Sequence, residues 1–208
     1  MNQAKIRLSQ KEKELINNAD WILTKNAVLK KIIQFYSELQ QDQFSFLQTQ
    51  KSLLPDRVVF SSPKISKGEN YNGLPYVVLD YPRFFDDTGF GAVRTMFWWG
   101  NFFSITLHLS GQHKKEQEAM IIEAFDFLKE KGFHICINEK EWEHDFSTVN
   151  YVQIIKLSKV EFINIIEGKE FLKIACNIPL ENGDEAESYL LEKFVVVTSL
   201  LADQLPSR

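Results

Sequence analysis

The chain has 208 residues, 44% of them hydrophobic and 25% charged, the balance of an ordinary globular domain. That excludes a disordered chain, a collagen-like repeat and a disulfide scaffold. With 17 Phe against 9 Gly, there is aromatic bulk enough to fill a sizeable core without cross-links. The net charge of −4 is uneven: residues 1–67 hold 11 Lys/Arg against 6 Asp/Glu, and residues 113–208 hold 11 against 18. So mild an N-terminal excess is not the basic stripe that phosphate neutralisation demands, which argues against a nucleic-acid partner.

The first residues, MNQAKIRLSQKEKELINN, are charged throughout and lack the apolar stretch of a signal peptide. Thr95 to His113 carries no formal charge, yet Gly100, Asn101, Ser104, Thr106 and Ser110 interrupt it. It reads as strand alternation, not as a membrane span. Cys136 and Cys176 each sit in an apolar run without a C-x-x-C pair, which suits buried free thiols. A disulfide between them would require neighbouring strands. The expectation is a cytoplasmic protein with no membrane contact.

Along the chain, Ser9-x-x-Glu12 has the form of a capping box and opens a short helix to about Asn18. A longer helix runs on from about Asp20 or Thr24 towards Gln50, with Leu29, Ile32, Ile33, Tyr36 and Leu39 on one face. The stretch Gln40–Gln43 is a candidate break, and Leu53-Leu54-Pro55 ends the helix. Val58–Ser61 and Tyr76–Tyr81 read as strands, punctuated by Pro63 and Asn72-Gly73. Ala92–Trp99 and Phe102–Leu109 flank Gly100-Asn101, the strongest hairpin signal in the chain. Phe103, Ile105, Leu107 and Leu109 alternate with polar residues and should face the core. Then come a helix from about Lys114 to Lys131, stopped at Gly132, and a strand Phe133–Asn138. An acidic loop Glu139–Asp145 and a strand Tyr151–Leu157 come next, and Ser158-x-x-Glu161 caps a short helix. Glu170–Ile178 reads as strand. A last helix runs from Gly183 to Asp203, with Leu190, Phe194, Val197, Leu201 and Leu205 on one face. The expected fold is a single α+β domain: a helical N-terminal segment over about 9–52, then a body over about 56–208. Its mostly antiparallel sheet should centre on the hairpin 92–109 and pack against helices.

No catalytic signature stands out: G-x-S-x-G, H-E-x-x-H and a phosphate-binding loop are all missing, and no motif requires a cofactor. The segment 82–91 reads as a long loop between strands, rich in Phe and holding Arg83, Asp86 and Asp87. Either carboxylate suits a general base or a hard-metal ligand, and Arg83 or Arg94 suits an anionic group. As plain turn chemistry, Asp-Asp-Thr-Gly needs no function at all. A two-residue hairpin turn places Arg94 opposite Leu107 on the core face, where it needs a partner, and Asp86 or Asp87 is nearest in sequence. A one-residue bulge would send Arg94 to the other face and bring Thr95 inward. That other face is expected to carry Phe97, Trp99, Phe102, Ser104, Thr106 and His108, a mix suited to a ligand pocket, an interface or a covered second layer. His144-Asp145 after Glu139, Glu141 and Glu143 is compatible with a cation, but such a run more often forms a solvated acidic loop, here anchored by Trp142.

Three functions stand as expectations. The first is a non-catalytic binding or interaction module, homodimeric through its aromatic face. The second is an enzyme acting on a small polar or anionic substrate, with ligand contacts drawn from Arg83, Asp86, Asp87, Arg94, Trp99, Thr106 and His108 and no resident metal. Nucleic-acid association through Lys25, Lys30 and Lys31 is the third and weakest.

Overall fold

Local hydrogen bonding starts the helices where the sequence places them. Ser9 accepts the Glu12 N–H at 3.3 Å, and the Glu12 carboxylate takes the Ser9 N–H at 2.7 Å, closing the capping box of α1 (Gln10–Asn17). Ser158 and Glu161 do the same for α6 (Lys159–Glu167). The structure, a computed structural model, describes residues 6–202. α2 (Ala19–Thr49) runs 31 residues, about 46 Å of helix. Gln40–Gln43 does not break it, because Gln43 and Leu47 continue the buried stripe of Leu29, Tyr36 and Leu39. Val58 and Val59, expected in a strand, turn inward from the short helix α3 (Asp56–Val59), where both donate backbone N–H groups to the Pro55 carbonyl.

Among the described residues, seven antiparallel strands form one open sheet of order β1-β2-β3-β4-β7-β5-β6. They are β1 (Lys64–Tyr71), β2 (Leu74–Asp86), β3 (Gly89–Trp98), β4 (Phe102–Ser110), β5 (His134–Cys136), β6 (Tyr151–Gln153) and β7 (Phe171–Pro179). The α+β reading with a central 92–109 hairpin therefore holds. The sequence alone does not mark β1; its charged, polar composition is what an exposed sheet edge tolerates. Asn72 and Gly73, both at positive φ (49° and 82°), form its tight turn into β2.

Two hairpins correct the sequence reading. Residues 82–91 are not a loop: β2 continues to Asp86, which pairs with Gly89, so only Asp87-Thr88 turn. A bulge between Asp80 and Arg83 accommodates Pro82. In the next hairpin Trp98 pairs with Phe102, leaving the three residues Trp99-Gly100-Asn101, with Gly100 at φ 70°. Arg94 consequently lies opposite Thr106, and Thr95 opposite Ile105. One residue of register moves Arg94 off the core face and turns Thr95 inward.

The core lies between one face of the sheet and the helices. Leu79, Val93, Phe97, Phe103, Ile105, Leu107, Leu109 and Ile174 bury there with side chains of α2, α4 (Gly111–Glu123) and α7 (Ala186–Ser199). The expected single helix 114–131 is two, α4 and α5 (Phe125–Glu130), joined at Ala124. The last expected helix begins with a 3-10 turn, Leu180–Glu185, before α7, in which Val195–Val197 is helical. Asp203 and Leu205 lie outside the described residues. Tyr151–Leu157 is strand only to Gln153 and then a 3-10 turn. β5 and β7 are neighbours, yet Cys136 and Cys176 remain free and face opposite sides of the sheet. Among the described residues, no helix is long and apolar enough to cross a membrane.

Candidate functional site

Facing away from the helices, the sheet carries charges in the middle of an apolar surface. Two adjacent cross-strand rows supply them. In one row Asp80 of β2 stands beside Arg94 of β3 and Thr106 of β4; in the next, His108 of β4 stands beside Lys173 of β7. Val78, Met96, Trp98 and Phe102 flank them on one side, and Tyr151 and Phe171 on the other. Alternation produces this arrangement: the residues between, such as Leu79, Thr95, Ile105, Leu107 and Ile174, point into the core.

Among the described residues, no second helical layer covers this face. The irregular segment 137–150 crosses it, and Phe146 packs against both apolar groups, stacking on Tyr151 at 4.8 Å. The Tyr71 hydroxyl accepts the backbone N–H groups of His144 and Asp145, at 2.6 and 3.0 Å. The expected polar-aromatic surface is therefore buried. Its membership also shifts by one residue: Trp98 takes the place of Trp99. Trp99 and Phe97 instead lie on the helix side, where Trp99 meets Trp21 edge-on at 6.4 Å.

Arg94 finds Asp80, not Asp86 or Asp87. Its Nε and Nη2 donate to the two carboxylate oxygens at 2.7 and 3.0 Å, a bidentate pair across neighbouring strands. Nη1 lies 3.2 Å from His144 Nε2, and burial among cations holds that imidazole neutral, its pKa pushed down to about 2. Neutral His144 thus accepts from Arg94. His108 lies 2.8 Å from Glu141 through Nε2. Burial lowers the His108 pKa against the pull of Glu141, while the hydrogen bond from His108 lowers that of Glu141. We read a neutral imidazole donating to an ionised carboxylate, which leaves His108 Nδ1 buried without a partner among the described residues. Lys173 is fully buried, and its pKa falls to about 8 through desolvation. Its ammonium donates to the backbone carbonyls of Glu141, at 2.8 Å, and Glu143.

The remaining expected residues are dispersed. Asp86 accepts from Thr88 N–H at 2.8 Å and from the Thr88 hydroxyl, bonds that hold its carboxyl below the usual range, and it reaches His113 at 3.2 Å. Asp87 is exposed in the turn. Arg83 donates to the Ser62 carbonyl at 3.1 Å and lies over the Phe85 ring. The acidic run does not converge: Glu139 pairs with Lys169, Glu141 with His108, and Asp145 accepts from Asn150. Among the described residues no three metal-binding side chains come together. Of the expected set, the structure brings together Arg94, Thr106 and His108. Sequence reasoning missed Asp80 and Lys173, although each is the one charge in a short apolar run, Tyr76–Tyr81 and Phe171–Cys176, a pattern visible in the sequence itself.

A second feature is the bareness of the N-terminal arm. Every residue from Ser9 to Thr24 is exposed, and the first buried residue among those described is Leu29. Leu15 (48%), Ile16 (67%), Trp21 (51%), Ile22 (49%) and Leu23 (63%) keep about half or more of their surface in solvent. Comparison with known proteins returned no matching family model, no similar curated protein and no similar solved structure.

Proposed function

We propose that the protein is a non-catalytic interaction module whose α1–α2 arm docks onto a second copy of the chain. The observation that carries this reading is an eight-residue helix, α1, with no buried residue. A helix of that length is marginal in water even with good caps, so its apolar side chains need a surface to pack against. Burying the exposed parts of Leu15, Ile16, Trp21, Ile22 and Leu23 contributes about 1 kcal/mol each, roughly 5 kcal/mol before the cost of association.

The chemistry of the arm favours a protein surface. Lys11 and Lys13 are balanced by Glu12 and Glu14, so α1 offers no net charge to a phosphate or an anionic membrane. At the far end of α2, Phe46, Leu53, Leu54 and Val195 line an apolar groove of about 280 Å³. A two-fold axis that sets two α2 helices antiparallel brings each arm to the other copy's groove, a closed isologous arrangement. The two buried free thiols are in keeping with a cytoplasmic setting.

Light scattering across a concentration series, with hydrogen exchange on α1, tests the proposal. The wild type should form a dimer with protected α1 amides. Ile16→Glu/Leu23→Glu, two exposed positions that leave the core intact, should weaken the dimer by about tenfold or more. A wild type that stays monomeric, with α1 amides exchanging freely at every concentration, refutes it.

A further inference from the structure

A surface charge needs no explanation, but five polar side chains set into the middle of an apolar sheet face do. Replacing a buried ionic cluster by well-packed hydrophobic residues is often neutral or stabilising, so the fold gains nothing obvious from this one. Its roof is the irregular segment 137–150. The roof is also where Lys173 finds its acceptors: both are backbone carbonyls of the segment, those of Glu141 and Glu143. Lys173 itself forms no ion pair with any described carboxylate within 4.0 Å. With the segment lifted, the floor holds Arg94 and Lys173 against the single carboxylate of Asp80, a positive surface with His108 beside it.

We propose that Arg94, His108 and Lys173 form a binding site for a small aromatic carboxylate, and that Glu141 of the overlying segment occupies the carboxylate position until such a ligand displaces it. Glu141 is the natural stand-in. Its carboxylate oxygen sits 2.8 Å from His108 Nε2, while its side chain keeps 30% of its surface in solvent, so the position is both bonded and reachable. The aromatic preference comes from the walls. Phe90, Trp142 and Phe171 pack edge-on around the His108 ring with centroids 5.1, 5.3 and 6.3 Å away, so the apolar body of a carboxylate bound at His108 would meet aromatic rings. Trp142 is 57% exposed and lies over Arg94 at 5.7 Å, which makes it both gate and reporter. Displacement exchanges one carboxylate for another on His108, and the ligand carboxylate also takes up the Lys173 donors that the segment's carbonyls release. The inference stands apart from the arm and does not depend on self-association.

The test is titration of the full chain with benzoate at fixed ionic strength, read by calorimetry and by Trp142 fluorescence, with inorganic phosphate as the comparison anion. Glu141→Gln keeps the shape of the segment and removes the competing charge. It should bind benzoate about tenfold or more tighter than wild type, and Trp142→Phe should abolish the fluorescence change while binding persists. Adding Lys173→Met to Glu141→Gln should remove most of the gain, with circular dichroism confirming the fold. If that double variant fails to fold, the comparison of Glu141→Gln with wild type decides alone. Equal benzoate affinity in those two proteins overturns the proposal. So does an equal gain for phosphate, which would reduce the site to unspecific charge.

Discussion

Asp80→Asn is the substitution that asks most of the structure. It leaves the Arg94 guanidinium on the covered face with a neutral amide in place of a carboxylate that held it at 2.7 and 3.0 Å. The Arg94 and Asp80 side chains keep only 15% and 12% of their surface in solvent, so water cannot take over the lost charge. Breaking a buried pair from one side costs about 3–5 kcal/mol, and the remaining amide oxygen places Asp80→Asn at the lower end of that range. Arg94→Met should cost a similar amount, because it strands the Asp80 carboxylate and removes the donor 3.2 Å from His144 Nε2. The double variant Asp80→Asn/Arg94→Met buries no net charge. It should be less destabilised than the sum of the single variants by about 2–3 kcal/mol, a coupling typical of groups in one network. Urea unfolding at neutral pH, followed by circular dichroism with a common slope, measures all four corners of this cycle. Additive single effects, or single effects below about 1 kcal/mol, would show that the pair is not what holds this face together.

Acid should loosen the cover segment before it reaches the carboxylates. The folded pKa of His144 is pushed down to about 2 from an ordinary 6.5, so below pH 6.5 the unfolded chain takes up a proton that the folded chain refuses. Stability then falls with pH, by about 2–3 kcal/mol between pH 6.5 and 4.5 from this residue. His144→Gln should flatten that slope, and an unchanged slope would contradict the assignment. Within the sheet, Ile105 and Leu107 are fully buried in β4, between β3 and β7. Their amides should exchange among the slowest in the chain, and rapid exchange there would refute the central position of β4.

The register of β2 and β3 also decides which charged side chains meet. Asp86-Asp87-Thr88-Gly89 carries strong turn chemistry and does turn at Asp87-Thr88, yet the strands close up to it on both sides. The lengthy loop that singled it out is thereby lost. The buried charges gather around Arg94, with Asp80 fourteen residues earlier, Lys173 on a strand far along the chain, and Glu141 and His144 in a segment whose acidic composition reads as solvated loop.

Features set by neighbours within a few residues are written in the chain: the capping boxes Ser9/Glu12 and Ser158/Glu161, the Asn72-Gly73 turn, and the α2 stripe from Leu29 onward. The alternation from Phe103 to Leu109 is of the same kind. Each rests on a hydrogen bond or a periodicity that the local segment supplies itself. The edge strand β1, by contrast, is too polar to declare itself and forms because β2 is there to pair with it. The face of Arg94 depends on a single residue of hairpin length. Because side chains alternate, that one step moves every residue of β3 to the opposite side of the sheet from the one a two-residue turn implies. Which carboxylate Arg94 meets, and which segment covers it, are decided by register and by contacts between distant segments, and only the folded chain brings those together.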